Sequence, residues 1–364
     1  MSDISKPSAN GWRIVWLILA GSIAIKLALI LYLGPRFHGD VVRAVNFGYG
    51  LHEGSLSIRT HFDNTKTWVG PSLWYHLFDL AGPWGLRLFN MLAFVALFGV
   101  QYLSGRRLYD RATLILALFL FAFYVGTHRN VMAGEPDDMM AALFFSTGLL
   151  VYLHRDRVVG TSLIMGLGLL FKFWVGIFFG GFVLFLLTER RWKALAPAVI
   201  AFLVPYACVN LIDGYASLAA LLWSFGMQSG YDDWSHIIWR LLSTGLLPAV
   251  LASAWTVAKD PSWQNRLFFF VPIPYFAYVL LMRDAHATSA VMMLGMMYFG
   301  FLIAEFLLRS PYLGNGVVRR RLVAGVLAAY VVIMGGLAYY GSQEGTHPLQ
   351  LREGSAGIEI PGRP

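Results

Sequence analysis

The stretch Val158-Val-Gly-Thr-Ser-Leu-Ile-Met-Gly-Leu-Gly-Leu-Leu-Phe-Lys172-Phe-Trp-Val-Gly-Ile-Phe-Phe-Gly-Gly-Phe-Val-Leu-Phe-Leu-Leu-Thr188 decides how the chain is threaded. As one straight helix it would be roughly 46 Å long. The hydrocarbon core of a bilayer is only about 30 Å thick. Gly166, Gly168, Gly176, Gly180 and Gly181 interrupt the run, and Lys172 sits near its middle. Arg155 and Arg157 precede it, and Arg190, Arg191 and Lys193 follow it. A hairpin of two short arms puts both basic flanks on one side. A single crossing separates them and inverts everything downstream. Basic loops stay cytoplasmic. With a hairpin, Arg106, Arg107, Arg111, Lys259, Arg266, Arg309, Arg319, Arg320 and Arg321 all join that side. The hairpin is therefore the expected reading, with the N-terminus inside and the C-terminus outside.

Composition sets the class. The chain has 364 residues, 57% hydrophobic and 13% charged. Soluble domains carry about 25% charged residues. A mean hydropathy of +0.60 leaves too little polar surface for a water-soluble enzyme. It also excludes a disordered chain, which needs low hydrophobicity and high charge. The net charge of +8 does not indicate a nucleic-acid partner, because the basic residues lie between apolar spans and no basic domain is left over. The single cysteine, Cys208, permits no disulfide framework within one chain. Polar Met1–Gly11 leads into a long apolar stretch, which reads as a retained first helix and not a cleaved signal.

Counting apolar segments against the about 20 residues needed to cross a bilayer gives an all-α polytopic membrane protein with about eleven transmembrane helices. The segments are Trp12–Leu33, Leu86–Ser104, Ala112–Thr127, Asp137–His154, the two hairpin arms, Ala194–Ile212, His236–Val257, Leu267–Met282, Thr288–Leu308 and Leu322–Tyr340. Residues 1–341 are expected to form one membrane domain, and residues 342–364 a short extracytoplasmic tail. The outer side then holds a long first loop, 34–85, expected to carry interfacial helices, and a second loop, 128–138. Two further outer segments are 213–235 and the short turn 283–287. No internal repeat is visible, which weakens a transporter reading, since many transporters are built from repeated halves.

Candidate chemistry collects in these outer segments. Asp40 follows the first span, with His38 and Arg43 close by. A carboxylate there can serve as a general base, or be an exposed loop acid. Trp68, Trp74 and Trp84 in the same loop suit headgroup anchoring as well as a ligand groove. The second loop reads His128-Arg129-Asn-Val-Met-Ala-Gly-Glu135-Pro-Asp137-Asp138. Three acids here cap a helix start, hold a divalent cation, or orient sugar hydroxyls and a basic partner. Lys172, at the hairpin tip, is a snorkelling lysine or one that needs an anion such as a phosphate. Arg283 and His286 could join it. Lys26, inside the first span, reads as a structural polar contact.

The order of these features resembles the GT-C superfamily of integral-membrane glycosyltransferases, nearest to its protein O-mannosyltransferase and aminoarabinose-transferase branch. An acid follows span one. A stretch from Lys66 to Pro71-Ser-Leu-Trp-Tyr75 leads into Leu86-Arg-Leu-Phe-Asn90. An acidic loop follows span three, and then comes Gly166-Leu-Gly-Leu-Leu-Phe-Lys172. The likeness covers residues 12–190. It implies a sugar donor on a polyprenyl phosphate and transfer on the extracytoplasmic side, with inversion at the sugar carbon. The acceptor would be a hydroxyl of an envelope lipid, glycan or protein. It also implies Asp40 as catalytic base, one of Glu135, Asp137 and Asp138 as the second acid, and Lys172 with Arg283, His286, Lys66 and Arg129 on the donor phosphate. Val41 stands where that branch commonly has a second acid, and Asp284 where it often has Tyr. No cofactor is implied beyond the divalent cation already weighed. Membrane lipids are the remaining partners, and a bacterial plasma membrane is the expected location. The readings from other classes are a transporter or flippase of a lipid-linked sugar, and a non-catalytic subunit of a polysaccharide assembly machine. A transporter needs charged residues along a path near the midplane, and a scaffold subunit would leave the outer acids dispensable.

Overall fold

A computed structural model describes residues 9–34, 36–58, 67–133, 136–219, 221, 233–282, 292–314, 316–343, 346–348 and 351. In chain order the first helix is α1 (Ala9–Leu33), followed by strand β1 (Arg36–His38), α2 (Gly39–His52) and α3 (Val69–Gly105). Next come α4 (Arg111–Ala122), α5 (Val125–Ala133), α6 (Pro136–Arg155), α7 (Val158–Gly168), α8 (Val175–Thr188) and α9 (Trp192–Asp213). The later helices are α10 (Trp234–Ser243), α11 (Leu246–Lys259), α12 (Trp263–Phe270), α13 (Ile273–Met282), α14 (Met292–Arg309) and α15 (Gly316–Gln343), and strand β2 (Thr346–Pro348) follows them.

The glycine-rich run folds back on itself. Helix α7 ends at Gly168, a turn spans 169–174, and α8 begins at Val175. Residues on either side of the run meet: Arg191 Nη2 donates to Asp156 Oδ2 at 2.8 Å, and Arg191 Nη1 to the Tyr152 hydroxyl at 2.8 Å. The two arms have 11 and 14 residues. That makes them about 16 and 21 Å long, too short for either to cross a bilayer alone. Gly166 shows why glycine is needed in the first arm. A Cβ there would sit 2.1 Å from the Phe202 carbonyl oxygen of α9, so α7 can pack against α9 only without a side chain at this position.

Large apolar side chains cover the outside of the helices. Leu17, Leu31, Leu92, Leu251 and Val332 are all mostly exposed, and α15 is only 11% buried over its apolar window. In water such a surface would aggregate; facing lipid it is satisfied. The chain is a multi-pass integral membrane protein. Among the described residues, six helices are long and apolar enough to cross a membrane, and eight if each of two bent pairs forms one span. The bent pairs are α4 with α5 (44°) and α10 with α11 (66°). The two hairpin arms and α6, which carries Asp137, Asp138 and Arg155, fall outside that test of length and composition. The expected eleven spans are therefore not reproduced as a count.

Much of 34–85 is helical. It contains α2 and the first part of α3, which bends at Ala81 and Gly82, just before Pro83, and only then becomes the expected span from Leu86. Lys26 is a structural contact. It is buried, and its Nζ donates to Ser22 Oγ at 2.7 Å and to the Ala122 carbonyl at 2.9 Å, where the bend frees that end of α4.

The molecule has two chemically distinct ends. At one, the basic loops cross-link: Arg309 pairs with Asp110 (2.9 Å), Arg266 with Glu189 (2.7 Å), and Tyr109 with Asn265 (2.8 Å). At the other lie α2, the start of α6 and the hairpin tip. There the tail returns as well. Strand β2 pairs antiparallel with β1, placing His347 opposite Phe37 and Thr346 opposite His38.

A candidate active site at the acidic end

Asp40 is positioned from both sides. Upstream, β1 is held by β2 and by Arg87, whose Nη2 donates to the Arg36 carbonyl at 2.7 Å and whose guanidinium lies 4.7 Å from the centre of the buried Phe37 ring. Downstream, Asp40 lies in the first turn of α2, where a carboxylate suits the positive end of the helix dipole. His38 caps that helix: its Nδ1 accepts from the Asp40 N–H at 3.4 Å. Arg43, one turn on, pairs with Asp40 Oδ1. The other carboxylate oxygen lies 3.7 Å from His38 Nδ1. Burial pushes the Asp40 carboxyl up, but Lys172, His38 and Arg43 outweigh it and hold it below the ordinary aspartate value. Burial pushes the His38 imidazole down. Asp40 pulls it back up, while Arg129, Lys172 and Arg43 add to the fall, so the imidazole is held below its ordinary value, in keeping with an Nδ1 that accepts from the backbone.

The second acidic segment opens α6, with Asp137 and Asp138 in its first turn. Both are buried. Asp137 Oδ1 accepts from the Trp74 indole N–H at 2.7 Å, and Asp138 Oδ1 from that of Trp174 at 2.9 Å. Lys172 Nζ stands 3.7 Å from the same Asp138 oxygen. Helix capping alone does not describe these two acids, because their side chains reach other segments. The Lys172 charge acts on Asp40, His38 and Asp137, and the Arg129 charge acts on His38. Arg129 lies on α5, which Asn90 of α3 steadies by donating to the Asn130 carbonyl at 3.0 Å.

Of the residues expected from sequence, Asp40, Arg129, Asp137, Asp138 and Lys172 thus converge at one end. Lys66, Glu135, Arg283 and His286 lie outside the described residues. The sequence reading missed Trp74 and Trp174 as partners of the acids. Trp74 was open to a headgroup-anchoring role, but it is fully buried. The available signal was Trp174, two residues from Lys172 inside an apolar turn, where an indole N–H needs an acceptor. Among the described residues no group of three or more His, Cys, Asp or Glu side chains is arranged to hold a metal ion.

No protein-family model matches the sequence, and no curated protein does either. Solved structures do match in fold. The crystal structure of ArnT from Cupriavidus metallidurans in the apo state superposes with a TM-score of 0.61 at 17% identity, covering 93% of this chain and 77% of that one. The same protein bound to undecaprenyl phosphate gives 0.60 at 16% identity, with the same coverage. The archaeal oligosaccharyltransferase AglB from Archaeoglobus fulgidus, in complex with an inhibitory peptide and a dolichol-phosphate, gives 0.57 at 11% identity. That match covers 90% of this chain and 56% of AglB. At such identities the likeness is one of architecture, and the architecture is that of the GT-C integral-membrane glycosyltransferases.

Proposed function

We propose that this protein transfers a sugar from a polyprenyl-phosphate donor to a hydroxyl acceptor at the acidic end of the molecule, which faces the extracytoplasmic side. The observation that carries the reading is the placing of Asp40, beside His38 and Arg43 at the start of α2, at the same end of the molecule as Lys172, which pairs with Asp138 at the hairpin tip and whose charge helps to hold the Asp40 carboxyl down. A base and a phosphate-binding cation are the two groups this transfer needs. An architecture in common with a protein bound to undecaprenyl phosphate supports the donor class. The basic end then lies in the cytoplasm, and all eleven apolar segments are embedded, the hairpin arms as a re-entrant pair. Residues 1–341 act as one catalytic domain, with 342–364 as its outer tail.

The steps follow from the residues. The acceptor oxygen attacks the anomeric carbon while its proton passes to an Asp40 oxygen. The bond from that carbon to the phosphate oxygen breaks, and its electron pair leaves on the phosphate. Lys172 and Arg129 stabilise the charge that develops there, the role also assigned to Lys66, Arg283 and His286. Attack from the face opposite the phosphate inverts the carbon. Asp40 is a weak base in the resting state, because its surroundings favour the carboxylate. It takes the proton late, once bond formation has acidified the hydroxyl. An apolar groove between α8 and α13, lined by Leu184, Ile273, Ala277, Tyr278 and Leu281, suits the donor's prenyl chain.

A deletion strain complemented with wild type or Asp40→Asn tests the reading by mass spectrometry of its envelope glycans and lipids. The expected result is loss of one sugar, restored by wild type. In Asp40→Asn, restoration falls by about a hundredfold or more while membrane levels of the protein are unchanged. Full restoration by Asp40→Asn would favour transport over transfer.

A further inference from the structure

We propose that the cavity at the basic end, at the foot of the hairpin, holds the phosphodiester of one anionic phospholipid, with Arg155 as its counter-charge. This site is separate from the donor site above and does not depend on it.

The cavity has a volume of about 680 Å³. Its wall includes Tyr152 and Arg155 at the end of α6, Asp156 just after it, Glu189 and Arg191 after α8, and Trp263 at the start of α12. Sites for small ligands run from about 300 to 1,000 Å³. Two turns frame the cavity. Each contains a non-glycine residue in the left-handed region, Asp156 at φ 50° and Arg190 at φ 57°. Such backbone persists where the surroundings impose it. Here the Arg191 N–H bonds to the Leu186 carbonyl at 2.9 Å, and its guanidinium grips both oxygens of Asp156 in the facing turn.

The charges in the wall are not all matched. Asp156 is engaged by Arg191, and Glu189 by Arg266 at 2.7 Å. Both pairs are neutral. Arg155 is exposed and has no partner among the described residues, so the wall carries one uncompensated positive charge. His154 adds no opposing charge; its Nδ1–H donates to the Leu150 carbonyl at 3.2 Å. A phosphodiester carries one negative charge and offers two oxygens to the parallel N–H groups of a guanidinium. Trp263 opens α12, and that end of a helix favours an anion.

The surroundings favour a lipid over a free ion. Leu153 and Phe185 supply apolar wall. Trp263 is 40% exposed, and Trp192, next to Arg191, is 62% exposed. Tryptophans at the level of basic loops lie in the headgroup layer. Basic pockets between membrane helices take anionic headgroups. A zwitterionic headgroup suits the wall less well. Its ammonium would meet Arg155 while both wall carboxylates are already engaged.

Native mass spectrometry of the purified full chain tests this, with phosphatidylglycerol and phosphatidylethanolamine of identical acyl chains. The wild type should hold phosphatidylglycerol about tenfold more tightly. Arg155→Gln should lose that preference, and Arg155→Lys, which keeps the charge, should retain most of it. Arg157→Gln removes a neighbouring charge outside the cavity wall and should leave the preference unchanged. Inorganic phosphate in excess should not displace the lipid. Equal retention of the two lipids by wild type, or an undiminished preference in Arg155→Gln, overturns the proposal. So does an equal loss in Arg157→Gln, which would mean diffuse attraction to the basic loops. Displacement by inorganic phosphate would mean a site for a free anion and overturns it too. Arg155 has no bond to lose, so Arg155→Gln without lipid should unfold at the wild-type temperature. If it does not fold, the lipid comparison in wild type and in Arg157→Gln still decides the outcome.

Discussion

Asp40 and Lys172 were legible one at a time, because each is a charge placed where an apolar chain resists charge. Their partners were not. Trp74 lies far from Asp137 in sequence, and Trp174 far from Asp138, and nothing local marks either pair. The same holds for Arg43, one turn beyond Asp40, whose pairing is visible only once α2 is known to be a helix. The electrostatics of the residue make a prediction about pH. Asp40 is held below the ordinary aspartate value, so it stays ionised as pH falls through that range. Transfer measured against pH should show its acid limb below the usual carboxylate region, with no step from His38 near its ordinary value. The sign for stability is the same: a carboxylate depressed in the folded state stabilises it above the unfolded pKa, and that contribution is lost as pH falls through the folded one. An acid limb at or above the ordinary aspartate range would remove Asp40 from the role of base.

At the scale of elements, the hairpin was readable from a conflict between length and charge. A run too long for one crossing, with basic flanks at both ends, has few other solutions. Gly166, Gly168 and Gly181 then make sense as contact surfaces, Gly166 against the backbone of α9 above all, whereas Gly176 and Gly180 face open space. Gly166→Leu should force α7 off α9 and destabilise the protein by about 2 kcal/mol or more, since neither backbone can yield. Thermal unfolding in detergent measures this, and an unchanged midpoint would mean that the arms are not packed as described. Segment 34–85 was less legible. Its helices alternate short apolar patches with Gly and Asn, as in Asn46-Phe-Gly-Tyr-Gly50, and lack a long periodic stripe. The pairing of β2 with β1 involves three residues from each end of the chain, too few to leave a pattern.

At the scale of the molecule, composition alone gave the membrane class, and the alternation of basic and acidic segments gave two ends. The number of spans was less secure. α6 begins with two acids and ends with His154 and Arg155, and the hairpin arms are short, so these helices do not qualify by length and apolarity. Their embedding, proposed above, rests on packing against neighbouring helices, as α7 packs on the backbone of α9 at Gly166. The assignment of the basic end to the cytoplasm makes a topological prediction. A reporter fused after Arg321 should be active only in its cytoplasmic form, and an externally active one would invert the account.

The central claim is that a lipid phosphate sits at the hairpin tip with Asp40 opposite. A structure of the full chain with undecaprenyl phosphate added tests it most directly. The account predicts phosphate density beside Lys172, facing Asp40, with the prenyl chain along α8 and α13. Density at the basic end among Arg155, Arg191 and Arg266, with the Lys172 side empty, would contradict it.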